Sequence, residues 1–560
     1  MPDSRQSRAL SWTLTALVGF LVLCPVLMLL LDSLSRAPAA AGPFTLSPYV
    51  RAYTAPALRG VALNTAVFVL GSSLLSTLLA LLLACLNTGH AARRLCMAFS
   101  ILPLMTPPLL FAAGWALLLN PGDGLLTQAL QGLLGPEPAP FDIHSLGGMI
   151  LVEGMMNLPM AYLIIAPALA AFDPARQEAA RVSGSGPTDV LLRITLPILY
   201  PALLAALVLS MVRSLASYAV PRVVGAPGHV DVLTTYLYGM ISAGSASDEA
   251  QAAALGLGLL SASLALTVFY RALVAESAAY AAPPAHGARP GPARPGRMRH
   301  TLGLGAGLLY LLATALPVLA LLYASLIPRP MPLGALAFAA LDLRHWIDVF
   351  QEPAVLRALR NSLLLAGAGA TLGAALSLGV ACVCVKTHGP PARLLRMLSF
   401  LPFAFPALVL GIGFKGFFAQ IPPHATLAAL LLAYIAVYLP YGVRPLAGAF
   451  TQVHRLLDEA SRLCGAGRLT TLRRITLPLL IPGFVSAWSL MAILFLNELP
   501  VSVVLSDAGA EVLSTRILSD IDEGRRGRLS ALGLLAIALS MALALCARVA
   551  TRAFRRRQES

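Results

Sequence analysis

Lysine is almost missing from this chain of 560 residues: among 40 basic side chains, only Lys386 and Lys415 are lysines. Val385 precedes the first and Phe414 the second. A phosphate-cradling Gly-Lys-Ser/Thr loop is therefore excluded, because its lysine must follow a glycine whose backbone approaches the phosphates. Charge of either sign is scarce, at 12% of residues, against about 25% in soluble domains. The seven cysteines (Cys24, Cys85, Cys96, Cys382, Cys384, Cys464 and Cys546) offer no pair at a zinc-site spacing. Cys382 and Cys384 lie inside an apolar run and read as helix packing. Histidines are isolated, and no motif sets a serine beside a histidine and an acid, or two carboxylates together. Ser183 and Ser185 read as turn residues. Metal chemistry, nucleophilic catalysis and nucleotide hydrolysis are not written in this sequence.

What it has instead is apolar surface. Hydrophobic residues make up 58% of the chain and mean hydropathy is +0.79. One aqueous core cannot hide that much, so the bilayer is the solvent. The net charge of +15 comes almost wholly from Arg. These residues are scattered between apolar spans with no aromatic-interleaved basic face, so they mark topology, not a nucleic-acid partner. Runs of bilayer-crossing length, about 20 residues, fall near 11–31, 64–86, 99–119, 147–171, 199–220 and 250–271. Six more fall near 302–326, 361–385, 397–418, 425–447, 479–504 and 529–550. The expectation is an all-α polytopic membrane protein of about 12 spans in two tandem six-helix halves, 1–271 and 301–560. Residues 272–300, rich in Pro, Gly and Arg, read as a linker. Arg5, Arg8 and Ala37-Pro-Ala39 resemble a secretion signal, but the run between them is long and its counterpart at 302–326 is internal. An uncleaved span is expected. Arg and Lys are enriched, and Asp and Glu depleted, on the side that holds both termini and the linker, which is then cytoplasmic. Residues 120–146, on the other side, contain no Lys or Arg.

One polar segment occurs twice without a gap. EAARVSGSGPTDVLLRITLPILYP begins at Glu178 and EASRLCGAGRLTTLRRITLPLLIP at Glu459, and 459 − 178 = 281. The same offset pairs Gly184 with Gly465 and Pro197 with Pro478. Each copy opens with a helix-forming patch, breaks at glycines suited to a positive-φ turn, and re-enters a helix at Leu-Pro. A short helix–turn–helix on the cytoplasmic surface is expected, within 174–197 and 455–478. Other signals also recur. Asn64-Thr65 and Asn361-Ser362 open the second span of each half, Pro103 with Pro107 and Pro402 with Pro406 open the third, and Pro159 and Pro440 interrupt the fourth. Proline in a membrane helix frees a carbonyl and bends the rod. Gly411-Ile-Gly413-Phe-Lys-Gly416 spells a dinucleotide fingerprint, but it sits in an apolar span with no strand before it, and reads as helix packing.

At the repeated loops the chain resembles the inner-membrane permeases of binding-protein-dependent ABC importers, of type I architecture. Glu178, Ala179, Ala180, Gly184, Ile194, Leu196 and Pro197 match that family's loop signature in full. Glu459, Ala460, Gly465, Ile475, Leu477 and Pro478 match it too, with Ser461 in place of the second alanine. The resemblance implies a coupling helix in each loop, docked on one of two copies of a separate ATPase. It implies ATP on those partners, no cofactor on this chain, and no enzymatic activity of its own. It further implies a periplasmic or lipoprotein binding protein that delivers the solute, and a bacterial inner (cytoplasmic) membrane location with both termini cytoplasmic. Segments after the fifth span of each half, Ser217-Tyr-Ala-Val-Pro221 and Asn497-Glu-Leu-Pro500, resemble the ferric iron branch most. The same machinery also serves 2-aminoethylphosphonate, thiamine and polyamines.

Glu153, Arg213, Arg444 and Glu498 fall within or at the edge of spans. A centred charge costs roughly 2.5–3.5 kcal/mol on insertion scales, so such groups face protein or a wet cavity. Glu153, Arg213, Ser217, Tyr218 and Glu498 are candidates for a translocation path. Equally, Arg213 and Glu498 are candidates for holding the halves together. Arg444, near a span end, is expected to snorkel. A proton-coupled secondary transporter using Glu153 or Glu498 is the rival from another class. It leaves the two matched loops unexplained.

Overall fold

A computed structural model of the chain describes residues 5–35, 44–87, 96–97, 103, 105–135, 141–170, 180, 182–186, 189–280, 297–329, 331, 339–387, 389–420, 426–453, 460–461, 463–507 and 509–559. Among these residues the structure is helical, with no strand. Hydrocarbon offers backbone amides and carbonyls no water, and a helix satisfies them within one segment. The first sequence half supplies α1 (Arg5–Ser33), α2 (Pro56–Leu86), α3 (Pro108–Leu119), α4 (Leu146–Ala170), α5 (Leu196–Leu215) and α6 (Ala246–Tyr280). The second supplies α7 (Arg297–Leu326), α8 (Pro353–Leu364), α9 (Ala370–Lys386), α10 (Ala407–Gln420), α11 (Leu427–Gln452), α12 (Leu477–Leu496) and α13 (Arg526–Glu559). A π turn, Leu365–Gly369, joins α8 to α9 in one span.

Against about twelve expected, the described residues hold ten unbroken candidate spans, or eleven with one bent pair counted as a span. The difference is the third span of each half. In the second half Pro390–Ala404 and Ala407–Gln420 meet at a bend of 109°. Phe405 there is extended (φ −95°, ψ 128°) because it precedes Pro406, which disfavours the helical region for its neighbour. In the first half Pro107 is likewise extended before Pro108, and α3 is only 12 residues long. Proline thus bends the third span of the second half and opens α3 in the first. In the fourth it does not: α4 runs through Pro159 and Pro167, and α11 through Pro440 and Pro445.

The chain forms two compact units. One contains α1, the start of α6, and α8–α13; the other contains α2–α5, the rest of α6, and α7. The leading helix of each sequence half therefore packs in the body of the other half. α1 lies on α10 and on the helix Pro390–Phe400, and α7 lies on α3 and α2. The two contacts use the same device. A Cβ on Gly413 of α10 would overlap the carbonyl of Pro25 in α1, and one on Gly114 of α3 would overlap that of Pro317 in α7. In lipid, close backbone approach replaces hydrophobic driving force as the source of helix affinity, and only glycine allows it here. Gly411 faces Val501 and Val504, and Gly416 faces the Asp32 carboxylate. The GxGxxG string is a packing surface.

The recurring Asn-Thr and Asn-Ser pairs fasten α2 and α8 to the segments that follow the fifth span. Asn64 Nδ2 donates to the Asp231 carbonyl (3.1 Å) and the Leu233 amide donates to Thr65 Oγ1 (2.9 Å). In the second half Asn361 Nδ2 donates to the Glu511 carbonyl (2.9 Å) and the Leu513 amide to Ser362 Oγ (2.8 Å). At this end the second half adds an ion network that has no counterpart among the described residues of the first. Arg528 Nε donates to Asp520 (2.9 Å), its terminal nitrogens meet Asp520 and Glu352, and Arg516 meets Glu352 at 2.8 Å. The matched bonds set an offset of 280 here (511 − 231 and 513 − 233), and the positions 280 earlier than 516, 520 and 528 are Tyr236, Met240 and Asp248.

Two outcomes are expected. Gly114→Leu and Gly413→Leu each lower the thermal stability of the detergent-solubilised protein, by about 1–3 kcal/mol or more. Gly305→Leu on α7, where a Cβ meets nothing, leaves it unchanged. Asp520→Ala, which leaves the buried Arg528 with Glu352 alone, costs about 1–3 kcal/mol in the same thermal assay.

Candidate functional site

The repeated loops close on the same hydrogen bonds. The Ser185 amide donates to the Ala180 carbonyl (3.0 Å) and the Ala466 amide to the Ser461 carbonyl (3.1 Å). This six-residue closure is a helix stop that needs a left-handed residue before its last position. Gly184 (φ +87°) and Gly465 (φ +81°) supply it, and a Cβ on either would meet nothing. Conformation, not space, demands glycine there. The chain restarts as a helix when the Val190 amide donates to the Gly186 carbonyl (3.1 Å) and the Thr471 amide to that of Gly467 (2.9 Å). Glu178, Ala179 and Glu459 lie outside the described residues. Ala460 is exposed and Ser461 buried.

Both loops then pass into the membrane without a break. A π turn covers Val190–Thr195 in one and Leu472–Thr476 in the other, and α5 and α12 follow directly. Ile194, Leu196, Ile475 and Leu477 are half-buried, Pro197 and Pro478 exposed in the first turn of each helix. Thr195 and Thr476 are buried between them. Pro needs no amide partner there. The helical spans accordingly begin at Leu192 and Arg473, inside the loops and earlier than hydropathy placed them.

Ser461 has a compensating partner. Its hydroxyl lies 2.9 Å from Thr471 Oγ1, both side chains being buried. The positions 281 earlier are Ala180 and Val190, which carry no polar side-chain atom. The second loop thus replaces an apolar pair by a hydrogen-bonded one. Val182 and Leu463, also 281 apart, are 90% and 89% exposed just before each turn. Sequence reading passed over them because single exposed apolar residues are ordinary. Their recurrence at one register in a polar loop was the available signal.

The charges within the membrane are committed to local bonds. In the unit containing α4, Glu153 is 2% exposed and accepts from Asn157 Nδ2 (3.1 Å) and Ser217 Oγ (2.8 Å). Asn157 also donates to Ser214 Oγ (3.0 Å) and accepts from Arg213 Nε (2.8 Å). Ser214 pairs in turn with Ser72 (2.9 Å). Tyr218 is buried beside them. In the other unit Glu498, 1% exposed, accepts from the amides of Val501 (2.8 Å) and Ser502 (3.0 Å) and from Ser502 Oγ (2.5 Å). Tyr434 OH lies 2.6 Å from the same Ser502 Oγ. At the 281 offset Glu153 corresponds to Tyr434, and Ser217 to Glu498. Each unit keeps one buried carboxylate with hydroxyl partners, on opposite members of the matched pair. Arg444 is exposed, with its guanidinium over Phe400 and Phe403 at 5.7 and 5.2 Å. It rests on aromatic faces as well as reaching outward.

Residues 76–276 and 372–560 each match the family of binding-protein-dependent transport system inner membrane components. The chain is 27% identical over 454 residues to the ferric transport system permease protein FbpB of Actinobacillus pleuropneumoniae. That match covers 80% of this chain and 64% of the relative, less than two thirds of its length. It is 26% identical over 209 residues to the spermidine/putrescine transport system permease protein PotC of Haemophilus influenzae, covering 37% of this chain and 81% of PotC. One half of the chain is therefore comparable to nearly a whole relative.

The Ser461–Thr471 pair is expected to behave as a coupled unit. Ser461→Ala alone costs about 0.5–1.5 kcal/mol, since Thr471 keeps only its bond to the Gly467 carbonyl. Ser461→Ala with Thr471→Val recreates the residues of the first loop and recovers most of that loss. A double-mutant cycle by thermal unfolding measures the coupling.

Proposed function

The chain belongs to the family of binding-protein-dependent transport system inner membrane components, and we propose that it is the permease subunit of an ATP-driven importer. It takes a small solute from a binding protein and passes it to the cytoplasm. The solute that fits best is ferric iron, because a ferric transport permease is matched along most of this chain. The observation that carries the proposal is the pair of loops. Each presents one exposed apolar side chain, Val182 or Leu463, ahead of a glycine turn, and each continues as helix into a span. Two equivalent knobs on one chain suit two copies of one ATPase. Nucleotide-driven closure of the pair would move both loops, and with them α5 and α12, in an alternating-access switch. ATP stays on the partners, and this chain makes and breaks no covalent bond.

Of the path candidates, Arg213 and Ser217 are half-buried and suit contact with a solute. Glu153 and Tyr218 lie behind them as support. Glu498 caps the segment at Val501 and Ser502, a structural use that leaves little for a proton carrier. This disfavours the secondary-transporter reading. In the importer reading both termini and both loops face the cytoplasm.

Val182→Asp with Leu463→Asp tests the docking. Burying one such side chain is worth about 1.5–3 kcal/mol, and neither contributes to packing in the free chain. Membrane insertion and thermal stability are expected to hold, while co-purification of the co-expressed ATPase and ATP-dependent uptake fall by at least about tenfold per site. An ATPase that stays bound to the double variant would sink the proposal.

A further inference from the structure

Arg213 is held by one end only. Its Nε donates to Asn157 Oδ1 at 2.8 Å, while no described residue accepts from its two terminal nitrogens. Asn157 is itself fully buried and fixed by bonds to Glu153 and Ser214. The amide therefore acts as a bracket that orients the guanidinium and leaves its forked edge open. Arg213 lies in the last turn of α5, within a candidate span, and is half-buried. A guanidinium there with unused donors is costly unless water or a solute group meets it. Its planar fork matches a carboxylate, phosphate or phosphonate. Glu153 does not take that role: its oxygens accept from Asn157 and Ser217, and no hydrogen bond or ion pair joins it to the guanidinium.

The second half has no counterpart. Positions 281 beyond Asn157 and Arg213 are Tyr438 and Leu494. The polar bracket and the cation are a specialisation of one half, not part of the shared frame.

We propose that Arg213, positioned by Asn157, is an anion-recognition group for the transported solute. Resting on the importer reading, this gives the solute a chemical class: it passes as a species bearing an anionic oxygen group. Ferric iron would travel as an anionic chelate and not as the bare cation, which the guanidinium repels. A polyamine is disfavoured for the same reason.

The test uses the full chain in detergent and needs no ATPase, so it is independent of the importer reading, which stands or falls on ATPase co-purification. Thermal unfolding is followed with citrate, methylphosphonate or spermidine at matched ionic strength. Citrate and methylphosphonate are expected to raise the melting temperature of the wild type, and spermidine is not. Arg213→Lys, which keeps the charge but loses the fork and the bond to Asn157, keeps only part of the response. Arg213→Gln weakens apparent anion affinity by about tenfold or more, the scale of one charge-assisted bidentate contact. An equal anion response in Arg213→Gln, a response to spermidine alone, or no response in the wild type overturns the proposal. So does a pattern in which Arg213→Gln only lowers stability, Glu153→Gln restores it, and anions do nothing throughout.

Discussion

A polar group inside hydrocarbon has no water to turn to, and this constraint organises the molecule. Every backbone amide must be satisfied within its own segment, which gives helices and no strands among the described residues. Helices cannot attract one another by hiding apolar surface from water, so they meet where glycine lets backbones touch. Gly114 on Pro317 and Gly413 on Pro25 are that rule applied twice. The charges obey the same constraint. Glu153 and Glu498 are buried only because amides and hydroxyls have been brought to their oxygens. Each is stable where it is, and each would be expensive if one partner were removed.

The two halves share this frame and fill it differently. A buried carboxylate with a hydroxyl partner occurs in both, yet position 153 carries it in one and position 498 in the other. Around it the first half has Ser72, Asn157 and Ser214, while the second has Tyr434, Tyr438 and Phe495. Gly369 and Gly373 accommodate Phe495 and Met491, where a Cβ would collide. Larger side chains on one helix have been matched by glycine on its neighbour, as dense packing requires. The same compensation appears at Ser461 and Thr471. Duplication preserved the backbone hydrogen bonds of the turn and the fastening of α2 and α8, while the side chains between them diverged as pairs.

Local signals were legible in the sequence, and long-range pairing was not. The 281-residue repeat, the glycine turns and the all-α membrane class follow from residues read in order, and the turns carry the positive φ that glycine promises. Hydropathy marks the third spans but ignores direction: Pro406 turns its span by 109° without making it less apolar. Pro440, with much the same local context, lies inside a continuous helix. The exchange of the leading helices could not be read, since nothing in α1 names α10 as its neighbour. Asn157 escaped notice for a similar reason. A buried asparagine looks like any helix residue until Arg213 and Glu153, from separate positions in the sequence, are set on either side of it.

The geometry of the loops bears on how a distant nucleotide cycle could reach a solute. A flexible loop would absorb a displacement at its tip. Here the segment after each glycine turn is helical from its restart, through a π turn, to the far end of the span. Helices are stiff along their length, so a shift passed across the closed turn is carried into α5 or α12 as motion of a rod. The glycine turn stands between the exposed side chain and the rod, and the backbone bonds that close it, Ser185 to Ala180 and Ala466 to Ser461, tie the two together. Arg213 lies near the far end of the rod that begins in the first loop, about one span length from the glycine turn. A displacement at the loop therefore moves the guanidinium relative to the other helices of its unit. That coupling needs no chain of side-chain contacts. It needs only that the turn stay closed and that the π turn and the span remain one helical body.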